Sequence, residues 1–105
     1  MEKLESITQY NEIIKNEKVI LMFSADWCPD CRFIEPVLPE IESENQSFTF
    51  YYVDRDQFID LCGDLNVFGI PSFVAFSKGT EIGRFVSKDR KTKEDIQAFI
   101  DSLSA

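Results

Sequence analysis

The sequence predicts an α/β fold in which a central mixed β-sheet carries helices on both faces. Two short unbroken apolar runs, Val19 to Phe23 and Phe48 to Val53, have the length and residue types of strands covered on both sides. Helical apolar spacing recurs three times, in Ile34, Val37, Leu38 and Ile41, in Phe58, Leu61, Cys62 and Leu65, and in Ile96, Phe99, Ile100 and Leu103. Between the last two stripes, Ser72 to Phe76 and Glu81 to Val86 flank the turn Ser77-Lys78-Gly79-Thr80 as the arms of a hairpin. The order β-α-β, then a helix, then a hairpin, then a closing helix places helices on both sides of one sheet.

Each element has a local cause. Ser6-Ile7-Thr8-Gln9 has the spacing of a capping box and starts a first helix that runs to about Asn16, with Ile7, Tyr10 and Ile14 on one face. An edge strand at Lys3 and Leu4 has no support from pattern. Val19 to Phe23 delivers the chain to Asp26-Trp27-Cys28-Pro29-Asp30-Cys31, just past a strand end. Pro29 suits a first helical position, where its missing N–H has no intrahelical partner, so Cys28 stands at a helix amino terminus. Pro36 and Pro39 fall inside the pattern that follows and bend the second helix near Pro36 or shorten it. Asp54-Arg55-Asp56 ends the second strand, and the next stripe turns Cys62 inward, as a small buried hydrophobe rather than a regulatory thiol. Thr92 caps the last helix.

Composition excludes several functions. A chain of 105 residues that is 44% apolar is one domain's worth, expected to span residues 1–105. A net charge of −8 without a basic block excludes nucleic acid and anionic membranes as partners, because both need clustered Lys and Arg. The amino terminus is charged, and no apolar run approaches the length of a bilayer span, so a cytoplasmic protein is expected. Three cysteines do not build a disulfide framework, which leaves the C-x-x-C as catalytic or metal-binding. Structural zinc takes four Cys or His ligands, and the chain has no histidine and only Cys62 to spare, so no metal is expected.

The run Ala25-Asp26-Trp27-Cys28-Pro29-Asp30-Cys31 after an apolar strand, a helix containing Pro36, and the segment Val67-Phe68-Gly69-Ile70-Pro71-Ser72-Phe73 resemble the thioredoxin family in order and spacing. The resemblance covers nearly the whole chain. It implies the thioredoxin fold, a nucleophilic Cys28, a resolving Cys31, and a cis peptide bond before Pro71 that sets its backbone beside the thiols. Trp27, Pro29, Ile70 and Pro71 then form the surface that receives substrate. The implied activity is thiol–disulfide oxidoreduction in cell redox homeostasis. Its substrates are disulfides of proteins or low-molecular-weight compounds, and it acts as a monomer recharged by thioredoxin reductase or another dithiol donor. No Gly-rich phosphate loop is present, and no bound cofactor is expected. A thioredoxin-fold redox sensor or interaction module without efficient turnover is the alternative.

The chain also departs from the family pattern. Thioredoxin has Gly-Pro between its cysteines; Pro29-Asp30 is similar to the C-P-D-C centre of small thioredoxin-related proteins. The family's buried aspartate aligns with Met22 and its lysine partner with Tyr52, so deprotonation of Cys31 needs another route, with Asp30, Asp26, Asp54 and water as candidates. A glycine of the substrate groove aligns with Ser87. Thiolate rather than thiol attacks a disulfide, and the positive end of a helix favours the thiolate of Cys28. Asp30, a carboxylate close by, is expected to moderate that effect, and it is one of the candidates for relaying the Cys31 proton.

Overall fold

The computed structural model describes residues 1–103; the last two positions of the expected domain lie outside the described residues. Five strands, β1 (Glu2–Lys3), β2 (Val19–Ser24), β3 (Thr49–Asp54), β4 (Ser72–Ser77) and β5 (Thr80–Phe85), form one sheet in the order β1-β3-β2-β4-β5. β2 pairs parallel with β3 and antiparallel with β4, so the sheet is mixed. Among the described residues the α-helices are α1 (Ile7–Ile13), α2 (Pro29–Ile34), α3 (Leu38–Glu44), α4 (Ile59–Asp64) and α5 (Lys93–Leu103).

The central position of β2 explains its unbroken apolar run. Val19, Leu21 and Phe23 join the core that includes Tyr10 and Ile13 of α1 and Leu61 and Cys62 of α4. Ile20 and Met22 join the opposite core, with Ile34, Leu38, Ile41, Ile96 and Ile100 of α2, α3 and α5. Period-two alternation therefore feeds both layers, and every side chain of the strand is buried. Burial of each large apolar side chain contributes about 1.5–3 kcal/mol, so Phe23→Ala removes about 3–5 kcal/mol.

Several expectations are corrected. The edge strand for which pattern gave no support near Lys3 and Leu4 is present one residue earlier, as the two-residue β1, in which Glu2 pairs with Tyr51 and Lys3 with Tyr52 of β3. The first helix ends at Ile13 rather than Asn16, and Ile7 is 47% exposed, leaving Tyr10 and Ile13 to anchor it. Its cap bonds are divided: Ser6 Oγ accepts from the Gln9 N–H, while Gln9 reaches back to the N–H of Glu5. The stretch after Cys28 is three pieces, α2, a 3-10 turn over Glu35–Val37, and α3. The break follows from Pro36, which lacks an N–H and whose ring would clash with the carbonyl four residues earlier in a continuous helix. In the β4–β5 turn, Lys78 and Gly79 take φ of 53° and 87°, the backbone of a two-residue hairpin turn.

Candidate active site

The end of β2 and the start of α2 position the thiols. The Cys28 N–H donates to the Ala25 carbonyl at 3.2 Å, and the Arg32 N–H to the Cys28 carbonyl at 3.0 Å, so the chain turns from strand to helix at Cys28. Cys28 is the N-cap residue of α2: its Sγ accepts the Cys31 N–H at 3.2 Å, a contact that strengthens as the sulfur gains negative charge. All three cysteines are free thiols. Cys28 is only 5% exposed, more enclosed than a cysteine at a strand end suggests, because the loop before β4 covers it. That loop carries the cis Ile70–Pro71 bond, and the Ile70 carbonyl lies 3.8 Å from Cys28 Sγ. Ile70 is half-buried against the cysteine pair, Pro71 is buried, and Pro29 is exposed.

Cys31 is fully buried. Burial and the adjacent Cys28 thiol push its pKa up to about 12, against a weaker opposing pull from the Ser24 hydroxyl and the Ala25 backbone. Ser24, at the end of β2, is fully buried, and its hydroxyl makes no hydrogen bond of standard geometry. It lies within reach of both Cys31 and the Tyr52 phenol. Met22 and Tyr52, where the family's buried pair would stand, are direct cross-strand partners, and Met22 is core.

Two long-range contacts set the rim. Trp27 is 59% exposed, and its Nε1 donates to the Asp56 carboxylate at 2.7 Å, with the Arg55 guanidinium 5.8 Å from its ring. Asp30, expected to moderate Cys28 through its negative charge, is paired with Arg90, whose Nε donates to its carboxylate at 2.8 Å. The same guanidinium lies 4.4 Å over the Phe33 ring. Beneath the loop before α5, the Lys91 ammonium is buried and donates to the Ser87 carbonyl, the Ser87 hydroxyl and the Asp89 carbonyl. Burial lowers its pKa, opposed chiefly by the neighbouring Asp89 carboxylate. Motif reading missed Ser24, Asp56, Arg90 and Lys91; only the absence of the family's acid–base pair hinted that a substitute existed.

Two thiols one helical turn apart support exchange with an incoming disulfide, which makes the protein a thiol–disulfide oxidoreductase. The thioredoxin family model matches residues 3–102. Mitochondrial Thioredoxin-2 of Schizosaccharomyces pombe is 36% identical over 96 residues, covering 90% of this chain and 72% of that protein. Human thioredoxin is 29% identical over 106 residues, covering 98% of each. The solved structure of Malassezia sympodialis thioredoxin superposes with a TM-score of 0.84 at 28% identity, covering 99% of this chain and 93% of the other. The chain belongs to the thioredoxin family, whose members are protein-disulfide reductases.

Proposed function

We propose that Cys28 attacks a substrate disulfide and that Cys31 resolves the resulting mixed disulfide, leaving an oxidised Cys28–Cys31 pair and a reduced product. The observation that carries this assignment is the asymmetry of the two sulfurs. Cys28 Sγ accepts a helix N–H and lies beside the Ile70 carbonyl, whereas Cys31 is enclosed and holds its proton tightly. Attack by Cys31 becomes favourable once its target sulfur is delivered next to it. Trp27, Pro29, Ile70 and Pro71 are the substrate surface, and Asp30 acts on it jointly with Arg90.

Exposed Trp27 and Phe68, at 59% and 79%, favour polypeptide disulfides over low-molecular-weight ones, since both present apolar area beside segments that carry the site. Oxidised enzyme is returned to the dithiol by thioredoxin reductase or another dithiol donor. The protein acts as a monomer in the cytoplasm, where a dithiol persists in reduced form. Pro29-Asp30 between the cysteines supports a place beside the C-P-D-C relatives.

A Cys31→Ser variant incubated with cell extract tests the roles. Removal of the resolving thiol leaves the mixed disulfide without a fast intramolecular exit, so partners accumulate on Cys28 and can be identified; Cys28→Ser accumulates none. Equal trapping by both variants, or trapping through Cys62, refutes the assignment.

A further inference from the structure

Cys31 must lose a proton before it can resolve anything, and the carboxylate candidates are poorly placed to take it directly. Asp30 is held by Arg90, and Asp54 Oδ1 accepts the Asp56 N–H at 2.9 Å. Lys91, a buried cation, directs its ammonium at three oxygen acceptors, the Ser87 carbonyl and hydroxyl and the Asp89 carbonyl. The hydroxyl within reach of Cys31 is that of Ser24, fully buried and without a standard hydrogen bond.

Beyond Ser24 the arrangement opens to solvent. Tyr52 lines a cavity of about 340 Å³ together with Asp26, Glu35, Glu42, Lys3 and Met1. Glu35 Oε2 is enclosed and has no hydrogen-bond partner, while Glu42 is paired with the Met1 amine at 3.1 Å and Lys3 lies 5.7 Å from the Tyr52 ring. Two unsatisfied oxygens thus flank one phenol between the buried thiol and the cavity. Unpaired buried polar atoms are costly in a folded protein and call for an explanation.

We propose that Ser24 and Tyr52 are the proton path for Cys31, relaying its proton through their hydroxyls to the Glu35 and Asp26 carboxylates in the cavity beside β3. The two residues take over the work of the buried aspartate and lysine that Met22 and Tyr52 displace. In the resolving step the Cys31 S–H proton passes to Ser24 Oγ, the Ser24 hydroxyl proton passes to Tyr52 Oη, and the phenolic proton passes to a cavity carboxylate. The Cys31 thiolate then forms a bond to Cys28 Sγ while the bond from Cys28 to the substrate sulfur breaks. The substrate leaves as a thiolate with that electron pair and takes a proton from water; its sulfur is reduced and the cysteine pair is oxidised. The hydroxyl that gives up its proton to one neighbour can turn to the other, and a hydroxyl that donates to either group lowers the pKa of that group. On Tyr52 that lowering is outweighed by burial, with Glu35, Asp26 and Asp54 adding to the upward shift. The proposal rests on the order of attack given above, Cys28 first and Cys31 second.

A symmetric aromatic disulfide whose released thiolate absorbs visible light tests it under single-turnover conditions. The first release reports attack by Cys28 and the second reports resolution by Cys31. In the wild-type protein two releases are expected, in Cys31→Ser only the first, and in Cys28→Ser none; release from Cys28→Ser equal to that from Cys31→Ser refutes the order of attack rather than the relay. With two releases established, Ser24→Ala and Tyr52→Phe are each expected to slow the second release at least about tenfold at pH 7, a floor below the roughly hundredfold or more that a positioned proton carrier contributes. The first release stays within about twofold, and the deficit closes as pH rises and hydroxide deprotonates Cys31 directly. The double variant is no slower than the slower single one, since both residues serve one path. Tyr52→Phe removes a single oxygen, so it carries the test by itself if Ser24→Ala does not fold. An unchanged second release in Tyr52→Phe across the pH range, or equal slowing of both releases, overturns the relay.

Discussion

Arg90 donates from Nε to the carboxylate of Asp30 at 2.8 Å, joining the loop before α5 to the residue between the two active-site cysteines. The pair is partly exposed, which limits its stability contribution to about 0–1 kcal/mol. Its effect on the site is electrostatic, since it places opposite charges side by side near a sulfur that must ionise. Arg90→Ala therefore leaves an unopposed anion and slows alkylation of Cys28 at pH 7, by about two- to fivefold after screening by solvent. Asp30→Asn leaves an unopposed cation and speeds it by a similar factor. The double variant returns close to the wild-type rate; additive effects in the same direction would show that the pair acts through loop geometry instead.

Gly69 is predicted to tolerate no side chain. A Cβ there would stand 2.5 Å from the Ser87 carbonyl carbon and 2.6 Å from the Lys88 nitrogen, both backbone atoms that cannot move aside independently. Gly69→Ala should lower stability by about 1–3 kcal/mol, as overpacking does elsewhere. Disulfide reduction should fall with it, because the displaced segment carries the Ile70 carbonyl that faces Cys28. Denaturant unfolding together with a turnover assay checks both effects, and an unchanged midpoint would disprove the close approach.

The reduced protein should lose stability in alkali. Cys31 has a folded pKa raised by burial above its unfolded value, so the native state holds a proton that the unfolded chain gives up. Its contribution is fully present below the unfolded pKa, near 9, and is lost as pH rises toward about 12. Cys62, Tyr10 and Tyr52, also raised chiefly by burial, act in the same direction. Urea midpoints measured across this range should fall less steeply for Cys31→Ala than for the wild type, and parallel slopes would contradict the assigned shift.

Cys62 should behave as packing. It is buried in the core beside α1 and α4, and burial raises its pKa, opposed by Arg55. With Cys28 and Cys31 both replaced by serine, iodoacetamide at neutral pH should leave Cys62 unmodified in the native state and modify it fully in denaturant. Rapid native labelling would reopen a regulatory role.

The strands and helices were legible because their causes are local. The run Val19 to Phe23 names its own environment, Pro36 marks its own break, and Thr92 Oγ1 accepts the Asp95 N–H as a cap should. Ile7 was misread because period alone does not say how far an apolar stripe extends around a seven-residue helix. β1 had no support in the sequence because two residues carry no pattern; their strand character comes from pairing with β3.

By itself the sequence determined the mixed sheet and the cysteine pair at a helix start, since each is written in adjacent residues or in spacing along one element; the proline loop that faces the pair was implied by the resemblance to the thioredoxin family. Only the tertiary structure decided what surrounds the sulfurs. Arg90 meets Asp30 across sixty positions of chain, and Asp56 meets Trp27 across twenty-nine. Ser24 and Tyr52 become diagonal neighbours on one face because the parallel register of β2 and β3 sets Met22 opposite Tyr52 and Ser24 opposite Asp54. Such contacts depend on sheet register and loop path, which are set by packing of the whole chain; burial then makes them matter, because a charge or an unpaired hydroxyl away from water has few groups left to answer it.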